Sequence, residues 1–502
     1  MSYLICANFI TQMKFRNFCF FIILAMLFCS CAATKYNPAK KYSPAVLQQD
    51  YILLQKILEA KHPSLYWYTD KEKMTAYFDK YYADIKDSMT EQNFAWHIVA
   101  PLIQKIHCGH TSVSMSKGYG KWVTGKPIPS FPLYMKIWND TMAVTANLNF
   151  KKDNIFKRGT LVTSVNGIPN KLLIKYIMDF LPEDGYAHNV NYIRLSANFP
   201  YFHRNIFGLS KSYTVGFMDS AGTERKAIIP LFIPAKDSIK KDSLIRKEKK
   251  SMPTEKKILE YRSLTIDNSK TFATMTVNTF AEGHLRSFFR RSFRQLKKEN
   301  IKNLILDIRS NGGGRVAMST LLTKYISRKP FRIADSLYTP NRGLGQYAKY
   351  IKGSILNNFE MFFISRRKSD GNYHINRMEK HLFKLKDNRY TGKAYVLING
   401  PTFSASTVFS NAVKGQQNIT FVGEETGGGW YGNNGIMIPD IKLPNTGVRV
   451  RLPLFRLVQY DHKPVKGSGV IPDIYVGTSY DALLKGYDKK MQLLKDLIKN
   501  NP

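Results

Sequence analysis

The sequence has little cysteine, few acidic residues and no long hydrophobic run, and each shortage excludes a class of protein. Four of the five cysteines lie within the first 31 residues, and only Cys108 follows them. A disulfide scaffold is therefore excluded, and the fold must rest on its apolar core. The apolar run at residues 18–29 is too short for a membrane-spanning helix, which needs about 20 residues.

The shortage of acids leaves a strongly basic chain. Lys and Arg number 75 against 37 Asp and Glu, which gives a formal charge of +38. Such a charge attracts anionic partners in general. The basic residues are spread along the chain, however, and are dense only at residues 236–257. No zinc finger, RNP signature or basic heptad helix is present, so we expect no nucleic-acid partner.

The first 31 residues are typical of an export signal. Lys14 and Arg16 precede the apolar run, which ends at Cys29-Ser30-Cys31 and turns polar immediately afterwards. This order resembles a bacterial lipoprotein signal, in which the cysteine after the cleavage site is lipidated. The resemblance predicts lipidation of Cys31, a membrane anchor and a place in the bacterial cell envelope, facing the periplasm or on the outer membrane. An ordinary secretory signal is the alternative.

The remaining 471 residues or so are enough for several domains. Apolar residues at three- and four-residue steps predict helices over 46–117, and short alternating runs predict strands over 118–233. Strands and helices alternate over 261–485, where runs such as Leu304–Ile308 are typical of strands buried on both faces. We assign 32–45 to a tether, 234–260 to a basic linker and 486–502 to a C-terminal helix or tail.

Three segments carry residues that could perform chemistry. Three glycines at 312–314 follow a predicted strand and could aim backbone N–H groups at a developing negative charge. Ser404 lies where a predicted strand passes into a helix, where it could be a nucleophile or simply a helix cap. His110 follows Gly109 and could act as a general base. No second Cys/His cluster accompanies Cys108 and His110, so we expect no metal, and the glycine spacing indicates no nucleotide cofactor.

Six segments in this order resemble the C-terminal-processing, or tail-specific, serine peptidases and their tricorn-core relatives. They are Gly109-His110-Thr111, the PDZ-like stretch 158–169, Leu306–Gly314, Thr402–Phe409, Val422–Gly428 and Gly469–Ile474. The resemblance implies an α/β fold: a mixed-sheet, crotonase-like spiral peptidase core at 261–485, an N-terminal helical region and a PDZ-like β-rich domain at 118–233.

The resemblance also implies roles for individual residues. Ser404 would be the nucleophile, and the N–H of Ala405 with that of Gly312 or Gly313 would form the oxyanion hole. Members with a lysine base carry it at the position of Gly429 here, so His110, as in the tricorn-type branch, is the implied base. That branch takes its orienting acid from the positions that are Lys466, Gly467 and Ser468 here. Asp461 and Glu424 are substitutes by proximity in sequence only.

These features predict a serine endopeptidase that cuts peptides or protein tails through an acyl-enzyme on Ser404. The PDZ-like segment would bind a C-terminal stretch of the substrate. Because the expected acid is missing, a catalytically silent peptide-binding member of the same family is the main alternative. A protein that adsorbs to anionic surfaces through its charge is a third, and it predicts salt-sensitive binding without hydrolysis.

Overall fold

The computed structural model describes residues 36–151, 154–235, 254–379, 381–460 and 466–500. The chain divides into two compact units, Met1–Ala39 and Lys40–Pro502. In the described part of the first unit, the Ala39 N–H donates to Asn37 Oδ1 at 3.0 Å. The predicted signal peptide and Cys31 lie outside the described residues. Among the helices of the described ranges, none has the length and apolarity to cross a bilayer.

The second unit begins with helices whose buried faces follow the apolar periodicity. Helix α1 starts at Pro44, a residue that favours a first helical turn because its fixed φ suits the helix. Asp70 caps α2 by accepting from the Lys73 N–H at 2.8 Å. The helices predicted within 46–117 are confirmed. The elements of this region are β1 (Lys41–Tyr42), α1 (Pro44–Lys61), α2 (Lys71–Ala83), β2 (Met89–Thr90), α3 (Glu91–Asn93), a π-helical segment (Phe94–Val99), α4 (Ala100–Gln104), β3 (Val113–Ser114) and α5 (Lys117–Val123).

A separate antiparallel sheet follows, with strand order β4-β5-β6-β8-β9 and the short strand β7 paired to β6. Asn166 and Gly167 join β6 to β7 with positive φ values of 49° and 79°, which confirms the tight turn that Asn-Gly predicts. The helices pack against the sheet over a core of its own. The elements are β4 (Leu133–Trp138), β5 (Thr141–Asn147), β6 (Leu161–Val165), β7 (Ile168–Pro169), α6 (Asn170–Met178), α7 (Asn189–Phe207), β8 (Ser212–Met218) and β9 (Glu224–Pro230).

Most of the basic stretch, residues 236–253, lies outside the described residues. The chain continues in helix α8 (Thr254–Tyr261), so the last residues of the predicted linker are helical. The central sheet comes next, with strand order β10-β11-β12-β16-β17-β22, in which every neighbouring pair except β10–β11 is parallel. Strand β12 is buried over Asn303, Leu304, Ile305 and Leu306, as its continuous apolar run predicts.

The elements from β10 to α12 supply this sheet and part of a second one. They are β10 (Arg262–Ile266), β11 (Phe272–Val277), α9 (Leu285–Lys298), β12 (Asn303–Asp307), α10 (Val316–Ile326), β13 (Ala334–Thr339), a 3-10 helix (Gly345–Tyr350), α11 (Ser354–Ile364), β14 (Arg366–Arg367), β15 (Tyr373–His374), β16 (Lys393–Ile398) and α12 (Ala405–Val413). The strand predicted at 304–308 is confirmed as β12, shifted by one residue, and strands and helices alternate along this part of the chain as predicted.

The second sheet of the core has the order β14-β15-β13-β21-β18, and a small sheet pairs β19, β20 and the early strand β3. The remaining elements are β17 (Ile419–Gly423), β18 (Gly432–Ile436), β19 (Asp440–Lys442), β20 (Arg449–Arg451), β21 (Phe455–Gln459), β22 (Ile474–Tyr475), α13 (Tyr480–Lys485) and α14 (Lys489–Asn500). The mixed α/β fold expected for the core is thereby confirmed. Strand β18 crosses in front of the turn that carries Ser404, which makes it one wall of the candidate site.

Candidate active site

Ser404 lies in the turn between strand β16 and helix α12, at the carboxyl edge of the central sheet. Its backbone has φ 55° and ψ −118°, which residues with a side chain seldom adopt. Strain of this kind persists only where the surroundings fix it, and it collects at functional sites. The Ser404 side chain makes no capping hydrogen bond to α12. The structure therefore does not support the alternative that Ser404 is simply a helix cap.

Parallel pairing brings the glycine segment to the same edge of the sheet. Strands β12 and β16 pair in register from Asn303 with Lys393 to Asp307 with Leu397, so the residues that follow both strands are neighbours. Thr402 Oγ1 donates to the Ile308 carbonyl at 3.0 Å. The Phe403 N–H donates to the Asn311 carbonyl at 3.1 Å. The serine turn is thus bonded directly to the chain that leaves β12.

The glycine segment packs against Ser404 more closely than a side chain would allow. Gly313 has φ 100°, and a Cβ there would lie 2.7 Å from Ser404 Cβ and 3.0 Å from the Ala405 nitrogen. The Gly313 N–H donates to Asn311 Oδ1 at 2.9 Å, so it is already used. Among the described residues, no acceptor takes the N–H of Gly312 or of Ala405. Of the three predicted oxyanion donors, Gly312 and Ala405 therefore remain open, whereas Gly313 does not.

His110 reaches the site from the N-terminal helical region. It is 7% exposed, and its ring lies 4.8 Å from the Phe403 ring, measured between centroids. Gly109 makes this approach possible, because a Cβ at that residue would lie 2.6 Å from Phe403 Cζ. The absence of a side chain at Gly109 therefore lets the serine segment come close to the histidine.

The position of Gly435 on strand β18 shows that Ser404 and His110 face the same point. A Cβ at Gly435 would lie 2.8 Å from Ser404 Oγ and 3.0 Å from His110 Nε2. Both reactive atoms therefore border one small space, and the absence of a side chain at Gly435 keeps that space open. The structure brings together the two residues that the sequence placed almost 300 positions apart.

Behind His110 lies a carboxylate that the sequence analysis missed. Asp184 Oδ1 is 3.8 Å from His110 Nδ1, and the two side chains are 3% and 8% exposed. This distance is longer than a hydrogen bond, and Nδ1 has no other partner among the described residues. Asp184 also accepts the Gly109 N–H at 2.7 Å and the Gly429 N–H at 3.3 Å. One buried carboxylate thus contacts both the histidine segment and the core.

The loop that carries Asp184 is itself held by hydrogen bonds. The neighbouring Glu183 accepts from Asn191 Nδ2 at 2.7 Å and lies 2.8 Å from His188 Nδ1, a contact that raises the pKa of His188. On the other side, the Gly185 N–H donates to the His107 carbonyl at 2.9 Å. These bonds fix the backbone on both sides of Asp184, so the carboxylate is positioned before any substrate arrives.

Neither of the two acids proposed from the sequence is found behind His110 among the described residues. Glu424 does not face His110; its carboxylate pairs with Lys490 Nζ, and both side chains are nearly buried. Glu424 directly follows strand β17 and Lys490 lies in the C-terminal helix α14, so this carboxylate is committed to an ion pair with another element. Asp461 lies outside the described residues. In the sequence, Asp184 is an acid in a Pro-Glu-Asp-Gly turn, and no spacing relates it to the other motifs.

Ser406, the other serine of the motif, is fully buried, whereas Ser404 is half-buried. This difference supports the predicted register, in which Ser404 is the reactive serine. Cys108 also lies nearby: its Sγ and the ligand atoms of His110 and Asp184 lie within 4.8 Å of one another. Burial raises the pKa of the Cys108 thiol to about 11, so it would have to lose a proton before it could bind a metal ion.

The assembled groups are those that acyl transfer by serine uses. A serine at a helix N-terminus faces an imidazole, the imidazole is backed by a buried carboxylate, and two open N–H groups lie beside the serine. Each group comes from a different part of the chain.

Comparison with known proteins agrees with this geometry. Residues 271–476 match the model of Peptidase family S41. The fold is similar to that of mature CPAF complexed with lactacystin, with a TM-score of 0.61, 14% identity and coverage of 91% of this chain and 99% of that chain. A second structure of mature CPAF gives a TM-score of 0.60 and 15% identity, with coverage of 91% and 98%. A search of curated protein sequences finds no match.

The structural likeness, at such low identity, establishes the fold, and the family match covers the segment that carries the glycine loop and Ser404. The match of residues 271–476 to peptidase family S41 identifies the chain as a serine-type peptidase.

Proposed function

We propose that this chain is an exported, lipid-anchored serine endopeptidase that hydrolyses peptide bonds through an acyl-enzyme on Ser404, with His110 as the base. The observation that carries the proposal is the convergence of Ser404 Oγ and His110 Nε2 on the space in front of Gly435. A peptide carbonyl in that space would lie beside the nucleophile, the base and the open N–H groups of Gly312 and Ala405. The family match supports a protein or peptide substrate.

In this mechanism His110 Nε2 takes the proton of Ser404 Oγ–H as the oxygen attacks the carbonyl carbon. The carbonyl oxygen becomes an oxyanion and accepts hydrogen bonds from Gly312 and Ala405. The imidazolium then donates its proton to the leaving amine, which departs and leaves an ester on Ser404. A water molecule, deprotonated by His110, attacks this ester; the carboxylic product leaves and Ser404 regains its proton.

Asp184 takes the place of the acid that the sequence seemed to lack. A positive charge that develops on His110 is attracted by a carboxylate 3.8 Å from Nδ1, and little water separates the two buried groups. Contacts of this kind shorten as the reaction proceeds, when the ring carries a charge. The catalytically silent alternative rested on the missing acid, so Asp184 removes the main argument for it.

The antiparallel sheet β4–β9 provides a place for substrate binding. Strands β4 and β9 are the ends of its strand order. The Ile137 N–H of β4 donates to Ser196 Oγ of helix α7 at 2.8 Å, whereas most residues of β9 are exposed, so an extended peptide can add to the β9 edge through backbone hydrogen bonds. The Asp184 loop follows helix α6 of this same region. In our proposal this PDZ-like module binds a C-terminal stretch of the substrate and also supplies the carboxylate that orients the base.

Replacement of the nucleophile or the base tests the mechanism. Ser404→Ala should lower kcat by roughly 10⁴-fold or more, and His110→Ala should do so about as severely, since the two residues act as a unit. Ser406→Ala is the control and should retain activity because its hydroxyl is buried away from the cleft. Turnover of an unstructured peptide and labelling by a fluorophosphonate are the measurements. An active His110→Ala variant would mean that another base operates.

The roles of Asp184 and Glu424 can be compared by removing the charge of each carboxylate in turn. Asp184→Asn should lower kcat by roughly 10²-fold or more while KM changes little, because the side chain orients His110 and does not touch the substrate. Glu424→Gln, which removes a carboxylate that pairs with Lys490, should leave kcat within a few-fold of wild type. Steady-state kinetics on one peptide gives both values. If the two variants lose kcat equally, Asp184 has no special role.

Gly435→Ala tests the convergence itself. The added methyl would lie within 3.0 Å of both Ser404 Oγ and His110 Nε2, so it should separate them and lower kcat by about tenfold to 100-fold. Gly120→Ala is a matched control, since a Cβ at Gly120 meets nothing within 4 Å. Both variants should keep the thermal midpoint within a few degrees. Wild-type turnover by Gly435→Ala would show that catalysis does not use this space.

The anchor is tested by Cys31→Ala in the producing cell. The wild type should fractionate with detergent-extracted membranes, whereas the variant should be soluble or remain as an unprocessed precursor. Membrane extraction and the mass of the product distinguish these outcomes. A variant of mature size that is extracted from membranes as fully as the wild type contradicts lipidation at Cys31.

A further inference from the structure

Helix α11 (Ser354–Ile364) has its apolar side toward solvent. Besides Ile364 at its end, five large side chains are exposed: Ile355 87%, Leu356 61%, Phe359 61%, Phe362 51% and Phe363 56%. At 100° per residue they occupy one arc of about 120° around the helix. Surface helices normally direct such an arc at the core. Contiguous exposed apolar surface of this kind marks a site of contact with another molecule or a membrane.

The side of α11 that faces the protein is held by polar contacts. Asn358 Oδ1 accepts the Leu344 N–H at 2.7 Å, and Asn357 Nδ2 donates to the Lys352 carbonyl at 3.2 Å. Met361, 1% exposed, is the one buried residue of the helix. These contacts fix which side faces outward. Core packing therefore does not explain the five exposed apolar residues.

Basic residues surround the apolar arc. Lys349 and Lys352 precede the helix, and Arg366 and Arg367 follow it, all four of them exposed. Arg342 packs its guanidinium 3.7 Å from the centre of the Phe362 ring. The helix itself contains one acid, Glu360.

We propose that α11 is a membrane-binding helix, whose apolar arc enters the interface of a bilayer that contains anionic lipids. Interfacial helices combine large apolar side chains with basic residues that contact lipid phosphates, and both are present here. A second copy of the chain fits less well, because a symmetric contact through this arc would place the same positive charges opposite one another. A bilayer provides an apolar layer and negative charge at the same surface.

This contact would also orient the enzyme. Helix α11 leads directly into β14, which is one edge of the sheet β14-β15-β13-β21-β18. The opposite edge is β18, the strand whose Gly435 lines the space between Ser404 and His110. Membrane contact therefore occurs at the edge of the sheet farthest from the catalytic strand, and the cleft stays open to substrate.

The test is vesicle sedimentation with a chain that starts at Lys40. This part holds every described strand and all four core clusters, and it lacks the N-terminal segment, so the proposed anchor cannot contribute. Vesicles of phosphatidylcholine with about one third phosphatidylglycerol should bind it at least tenfold more tightly than pure phosphatidylcholine. The triple variant Ile355→Ser, Phe359→Ser, Phe363→Ser should bind the anionic vesicles at least tenfold more weakly.

The matched control replaces three exposed apolar residues elsewhere, Leu259→Ser, Leu382→Ser and Leu484→Ser, and should bind like the unaltered chain. A second variant, Lys349→Glu, Lys352→Glu and Arg367→Glu, should lose the preference for anionic vesicles. Peptide hydrolysis in solution should be unchanged in all of them, which shows that they are folded. No binding to either vesicle, or equal loss in both serine variants, overturns the proposal. So does a dimer in sedimentation velocity that the α11 variant dissociates, because a second copy would then cover the helix.

Discussion

The site depends on one buried carboxylate. Asp184 accepts backbone N–H groups from Gly109 and Gly429 and lies behind the imidazole of His110. These partners come from the N-terminal helical region and from the peptidase core, while Asp184 itself lies between helices α6 and α7 of the β4–β9 region. A buried carboxylate is stable only if hydrogen bonds replace the water it has lost. Because the three regions supply those bonds together, they must be docked before the site exists, and loss of any one contact affects the others.

Around this carboxylate the site is built on close backbone approach. Gly109, Gly313 and Gly435 each occupy a place where a Cβ would come within 3.0 Å of a neighbour. The Ser404 backbone is strained, and the bonds of Thr402 and Phe403 to the end of β12 maintain that strain. The strands thus position the segments that carry the reacting groups, and the glycines at the contacts are small enough to let these groups meet. This is the preorganisation that catalysis by serine requires.

Much of the core could be predicted from the sequence. The continuous apolar runs of β12 and β16 and the order of the six motifs identified the sheet, the glycine loop and Ser404. Those signals are local, since periodicity and motif spacing depend on neighbouring residues. Asp184 could not be found in this way, because its role arises from a contact between distant segments. Closeness in sequence made Glu424 a candidate for the orienting acid, but its carboxylate pairs with Lys490 of the C-terminal helix. The exposure of the apolar arc of α11 could not be predicted either, since the sequence of an apolar helix does not show which of its sides the protein covers.

Under the proposed export of the chain, the burial of Cys108 has a consequence for its chemistry. Its thiol is 1% exposed, and burial raises its pKa to about 11. Thiol–disulfide exchange needs the thiolate and access to it, and both are scarce here. In an oxidising compartment this cysteine is therefore protected from disulfide formation with other proteins and from oxidation beside His110. The chain can keep a sulfur atom next to its active site without a reducing system to maintain it.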